Sequence, residues 1–318
     1  MKVAFVGKGG SGKTTLASLF ALRAAATGSP VLALDADINQ NLAVALGADP
    51  ATVADLPALP DHLGLLKEWL RGDNPRIPSA DAMVKTTPPG RGSRLLRVVE
   101  DNPVYDACVR EVVPGVRLGL AGAFSEADLG VACFHAKTGA VELLLSHLVD
   151  GPGEYVVVDM TAGADAFASG LFTRFDVTFL VCEPTLRSVG VYRQYAGYAH
   201  DFGVRLAVVG NKVADADDEA FLRDEVGDDL VAVLGASRHV RAGDRGASRD
   251  LGGLEPGNGA ALDVLRRHVD ALDQDRSARQ ADAVAFHRRN AAVRGADTAA
   301  LTAQIDPGFV PSPDLLSR

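Results

Sequence analysis

Gly7-Lys8-Gly9-Gly10-Ser11-Gly12-Lys13-Thr14-Thr15 is the most informative stretch of this 318-residue chain. The apolar run Lys2-Val3-Ala4-Phe5-Val6 precedes it, and Leu16-Ala17-Ser18-Leu19-Phe20-Ala21 follows. The order is strand, glycine loop, helix. Gly7, Gly12, Lys13 and Thr14 occupy the defining places of a phosphate-binding loop, G-x-x-x-x-G-K-[ST]. Glycines let the backbone wrap so that successive N–H groups face phosphate oxygens. The helix that follows presents its positive end to the same anion. Gly9, Gly10, Ser11, Gly12, Lys13, Thr14 and Thr15 are therefore candidate nucleotide-binding residues. Lys13 brings a point charge to the β- and γ-phosphates, and the Thr14 hydroxyl can ligate Mg2+.

Working outward, further apolar runs lie at Val31–Leu34, Val116–Leu120, Tyr155–Val158, Val177–Val181, Leu206–Val209 and Leu230–Leu234. Helical spacing fills Ala140–Val149 and Ser188–His200. Continuous apolar strands alternating with helices predict a doubly wound α/β fold, its mostly parallel sheet covered on both faces. Residues 48–104 break the rhythm with Pro, Asp and Arg, and carry one helical run at Leu63–Leu70. They read as an insertion after the second strand, partly mobile. Residues 1–270 form the expected nucleotide-binding domain. Residues 271–318 complete a charged helical stretch that starts near Gly259 and runs to Arg294, then end in a tail from Asp306 with three prolines, expected to be loose.

A net charge of −9 and a pI near 5.3 argue against broad nucleic-acid or anionic-membrane binding. No apolar run reaches the ~20 residues of a membrane span, and no leader precedes the first strand. Three widely spaced cysteines, Cys108, Cys133 and Cys182, fit a reducing compartment. The expectation is a cytoplasmic protein with no membrane anchor and no nucleic-acid partner.

Asp35-Ala36-Asp37 follows the second apolar run, where doubly wound sheets bind ligands. One carboxylate can serve the Mg2+ shell while the other orients a water. Val156-Val157-Val158-Asp159 places another acid at a strand end, a common way to put a carboxylate near Mg2+. Asn211-Lys212 closes the run at Val208-Val209.

The second lysine of the loop, Lys8, gives the form G-K-G-G-x-G-K-T-T. It resembles the deviant phosphate loop of the MinD/ParA, nitrogenase iron protein and ArsA group of dimeric P-loop ATPases. The resemblance implies an ATP- and Mg2+-dependent homodimer in which Lys8 reaches the partner subunit's nucleotide. By the same likeness Lys8, Lys13 and Asp37 are catalytic, with Asp37 positioning the water. Asp35 and Asp159 join Thr14 near Mg2+, and Asn41 falls in the first switch. Asn211 and Lys212 take the base-recognition place, and Asp159-Met160-Thr161-Ala162-Gly163 is similar to the second switch, D-x-x-A-G. The group's usual proline after the last strand is missing from Gly235-Ala236-Ser237-Arg238-His239.

Leu129 to Lys137, ahead of the helical run Thr138–Leu148, together with Asp35 to Leu42 and Asp159 to Gly163, looks most like the CooC family, ATPases that help load nickel into carbon monoxide dehydrogenase; the resemblance runs from residue 1 to about 250 and thins across 48–104. Those proteins carry Cys-x-Cys before this helix and share a four-thiolate site between subunits. Here the motif is Cys133-Phe134-His135. Cys and neutral His both suit Zn2+ or Ni2+, and two of each can close a tetrahedral site. A bridging iron–sulfur cluster is not implied, because Thr161-Ala162-Gly163 stands where its second cysteine belongs. The leading expectation is an ATPase acting on a client metalloenzyme; the alternative is a MinD/ParA-type positioning or regulatory switch, acting on a regulatory protein and carrying no metal.

Overall fold

The computed structural model describes all residues except 124–133, 164–166, 168–169 and 317–318; of residues 134–136, 296 and 316 only the backbone is described. Eight strands form one sheet: β1 (Lys2–Gly7), β2 (Val31–Ala36), β3 (Val109–Val113), β4 (Val116–Leu120), β5 (Tyr155–Met160), β6 (Val177–Cys182), β7 (Leu206–Val213) and β8 (Leu230–Gly235). The helices are α1 (Lys13–Ala26), α2 (Leu42–Leu46), α3 (Pro50–Ala54), α4 (Leu63–Arg71), α5 (Pro103–Cys108), α6 (Phe134–His147), α7 (Leu186–Asp201), α8 (Ala216–Val226), α9 (Arg238–Gly243), α10 (Pro256–Asp270), α11 (Arg276–Val293) and α12 (Thr298–Ala303). Strand order is β3-β4-β2-β5-β1-β6-β7-β8. Every pairing is parallel except β3 with β4.

The central strands are apolar throughout because helices cover both faces. Successive residues alternate between two cores. Val3, Phe5, Ala33, Tyr155, Val157, Phe179 and Val181 face α1 and α10. Ala4, Val6, Leu32, Leu34, Val156, Val158 and Leu180 face the opposite layer, which holds α4 and α6. Under α1 the rings of Phe5, Phe20 and Phe179 pack 5.4–6.3 Å apart. Among the described residues no helix is long and apolar enough to cross a membrane.

Four expectations are revised. Val109–Val113 is an additional antiparallel edge strand; its charged Arg110 and Glu111 suit an edge, and they hid it from an apolar-run search. The helical stretch expected from Gly259 to Arg294 is two helices, α10 and α11, parted at 271–275. Residues 48–104 are packed, not loose: Leu59, Leu66, Leu70, Ile77, Met83 and Leu96 are fully buried, and Leu96 bridges to Leu148. The C-terminal segment fastens this region. His287 of α11 meets the Thr86 hydroxyl at 3.0 Å, the Thr87 hydroxyl donates to Gln304 at 2.8 Å, and Gln280 donates to the Pro89 carbonyl. Asp306, where a loose tail was expected to begin, is buried and accepts from the Arg91 amide.

Candidate nucleotide site

Gly7 ends β1 at φ 149°, where an added Cβ would lie 2.6 Å from the Val181 carbonyl oxygen. The loop then crosses to Gly12, whose φ of 100° caps α1. A Cβ at Gly12 would meet the Asn211 side-chain nitrogen at 2.2 Å. That nitrogen donates to the Ser11 carbonyl, so Asn211 braces the loop from behind. Lys212, at φ 60°, donates to the Gly10 carbonyl at 2.7 Å and pairs with Glu183 at 2.7 Å. With these carbonyls engaged and the Ser11 amide closed on the Lys8 carbonyl, the remaining loop N–H groups are left for an anion. The Ser11 hydroxyl is fully buried and has no hydrogen-bond partner among the described residues, an open polar group inside the cradle.

The carboxylates converge because β2 and β5 are adjacent: Asp35 and Asp159 are register partners. The Thr14 hydroxyl donates to Asp159 Oδ2 at 2.6 Å, while Asp159 Oδ1 is buried and has no partner among the described residues. A hydroxyl beside a carboxylate with a free oxygen is the donor chemistry Mg2+ takes, the remaining positions going to water and phosphate. Asp35 is used differently. Its oxygens accept from the Asp37 and Leu42 amides at 3.2 and 2.8 Å, tying down the loop after β2. Burial pushes both the Asp35 and Asp159 carboxyls well above the ordinary range, helped by the charge of Asp37 beside Asp35 and by that of Asp35 beside Asp159. Asp37 pairs with Lys13 at 3.3 Å, both nearly buried, and accepts from the Asn39 amide at 2.9 Å. The phosphate lysine thus rests on the acid expected to position water.

Gly12, Lys13, Thr14, Asp37, Asn211 and Lys212 line a cavity of about 600 Å³ with Gly9, Thr15, Asn41 and Ala162. Its far wall was not foreseen as a site: Leu234, Ser237, Val240, Arg241, Arg249 and Asn258. The only sequence signal there was the departure at Gly235–His239. Asn258 accepts from the Gly235 amide at 2.8 Å, and the Ser237 hydroxyl caps α9. Lys8 lies at the loop's rim, 3.9 Å from Glu183.

Cys133 lies outside the described residues, and of His135 only its place at the start of α6 is described. Among the described residues no three His, Cys, Asp or Glu side chains form a metal-holding group. Cys108 and Cys182 are buried and form no disulfide among the described residues; burial pushes the Cys108 thiol up to about 11.

Residues 3–246 match the family model of the CobQ/CobB/MinD/ParA nucleotide binding domain. The chain is 30% identical over 247 residues to the carbon monoxide dehydrogenase accessory protein CooC of Rhodospirillum rubrum, covering 77% of this chain and 87% of that one. In structure it is similar to MinD in the MinC:MinD cell division complex of Aquifex aeolicus (TM-score 0.55, 19% identity, 86% of this chain and 98% of that chain). A similar match is the cell division ATPase MinD of Pyrococcus furiosus (TM-score 0.55, 18% identity, 85% and 98%).

Proposed function

Because the chain belongs to the CobQ/CobB/MinD/ParA nucleotide-binding domain family, we propose that it is a Mg2+-dependent ATPase that dimerises on ATP and couples hydrolysis to metallocentre maturation in a client enzyme. The observation carrying the nucleotide chemistry is the convergence of Lys13, Thr14 and Asp37 on one cavity, with Asp159 hydrogen-bonded to Thr14 behind it. The likeness to CooC supports the client side. Residues 1–270 are the ATPase unit, and 48–104 with 271–318 form an added layer available to a client. The setting is cytoplasmic, with no nucleic-acid partner.

Arriving phosphates draw Lys13 from Asp37, and the freed Asp37 carboxylate orients the attacking water. Loop N–H groups and Lys13 hold the β- and γ-phosphates, and Lys8 completes the charge from the partner subunit. Thr14 and Asp159 would hold Mg2+, which neutralises charge on the phosphate oxygens. Asp35 keeps the Asp37 loop in place. Asn211 and Lys212 brace the loop beside the base wall.

The finer reading includes a shared Zn2+ or Ni2+ site from Cys133 and His135 of two subunits, one metal per dimer. The test has two arms on untagged protein. Phosphate release should depend on Mg2+, and sedimentation with a non-hydrolysable ATP analogue should show a dimer. Elemental analysis of those dimers, supplied with Zn2+ or Ni2+, should find one metal per dimer, lost in Cys133→Ala and reduced in His135→Ala. ATP-dependent dimers without metal would remove the cargo and leave a positioning or regulatory switch.

A further inference from the structure

Glu183 directly follows β6 and sits between two lysines at the mouth of the phosphate loop. One oxygen takes Lys212 at 2.7 Å; the other lies 3.9 Å from Lys8. The Glu183 side chain is 18% exposed, whereas that of Lys8 is 35% exposed. The carboxylate is thus partly sheltered while the lysine has an open path away from it. Its two tasks separate by oxygen. On the Lys212 side it helps hold a non-glycine residue in the left-handed region, which keeps the Gly10 carbonyl turned out of the cradle. On the Lys8 side it touches only the side-chain ammonium, whereas the part of Lys8 that shapes the loop is its backbone carbonyl, which accepts from the Ser11 amide at 3.1 Å. Among the described residues Glu183 is the one acid paired with Lys8.

We propose that Glu183 is a positioning residue that parks Lys8 in the resting protomer and must release it before the dimer can close. The inference rests on the proposed role of Lys8 across the interface. A lysine held by its own chain's carboxylate is withheld from a partner's phosphate, so closure exchanges one counter-ion for another. Lys212 stays on Glu183 after the exchange, and the loop keeps its shape. A partly exposed ion pair of this length restrains the lysine modestly, equivalent to about a two- to fivefold change in an equilibrium.

The test is sedimentation of the full chain with Mg2+ and a saturating non-hydrolysable ATP analogue. Glu183→Gln should dimerise about two- to fivefold more tightly than the unmodified protein. The gain should shrink as salt is raised from low levels to about 0.5 M, because the lost pair is screened there. Lys212→Ala, which loosens the loop without freeing Lys8, should show no tightening. A Glu183→Gln dimer no tighter than the unmodified one, or a gain indifferent to salt, would overturn the parking role. Lys8→Ala separates the two failures. If that variant dimerises normally, the proposed cross-interface lysine is wrong; if it stays monomeric while Glu183→Gln changes nothing, only the parking role falls.

Discussion

Asp37→Asn should bind nucleotide more tightly while hydrolysing it far more slowly. Lys13 and Asp37 stand 3.3 Å apart with side chains 8% and 7% exposed. At an effective dielectric of ~20 their bare attraction is about 5 kcal/mol. Part of it is offset by desolvation and by water in the cavity, leaving a net cost of about 1–3 kcal/mol for pulling Lys13 away. Asn keeps the shape and the Asn39 contact but removes that cost, so affinity for an ATP analogue should rise by roughly 5- to 150-fold. The nucleotide-free variant should also melt earlier, because Lys13 is left near-buried without its counter-ion, and nucleotide should restore the loss. Turnover should fall by ~10²–10⁴-fold with the charge that polarises the water. Calorimetry, melting with and without nucleotide, and phosphate release measure the three effects. Unchanged affinity would show that phosphates do not displace this pair. Near-normal turnover would show that another residue positions the water.

Lys13→Ala should abolish measurable ATP binding by calorimetry, since it removes the cradle's inner charge and leaves Asp37 facing the phosphates. Gly12→Ala should weaken nucleotide binding and lower stability by about 1–3 kcal/mol in urea titration, because the residue sits at φ 100° and its Cβ would displace the Asn211 brace. Acid should destabilise the protein through His147, which is fully buried, donates from Nδ1 to the Leu143 carbonyl and titrates near 4 because burial opposes its charge. Between the ordinary 6.5 and about 4 the unfolded chain takes up a proton that the folded one refuses. Stability therefore falls by roughly 3 kcal/mol as pH drops through that window, and not above it. Urea midpoints at pH 7 and pH 5 should differ less in His147→Leu; an unchanged difference would assign the acid sensitivity elsewhere.

Much of the fold was legible because parallel strands buried on both faces are apolar at every position, as in Val156-Val157-Val158. The edge strand Val109–Val113 lacked that signature, since one side of it pairs with nothing. The loop residues were legible because one backbone segment makes most of the phosphate cradle. The far wall was not, because Val240, Arg249 and Asn258 meet the loop only through the winding of the sheet, more than 200 residues along. Glu183 was passed over for the same reason: its meaning comes from Lys8 and Lys212, contributed by two other strand ends. Spacing could nominate Asp35 for the metal, but its commitment to two loop amides is a fact of three dimensions.

The stitching of residues 74–93 to α11, α12 and Asp306 has a consequence for how the protein is made. Thr86, Thr87, Pro89 and Arg91 find partners 201, 217, 191 and 215 residues later in the chain. At ~5–20 residues per second a ribosome needs about 10–40 s to supply them. Throughout that interval the buried Thr86 hydroxyl lacks its His287 mate and the Thr87 hydroxyl has only the local Val84 amide, although the phosphate loop and its first strand are already outside the exit tunnel. This layer is therefore among the last parts of the nascent chain to close, and while it waits it offers chaperones a half-finished flank.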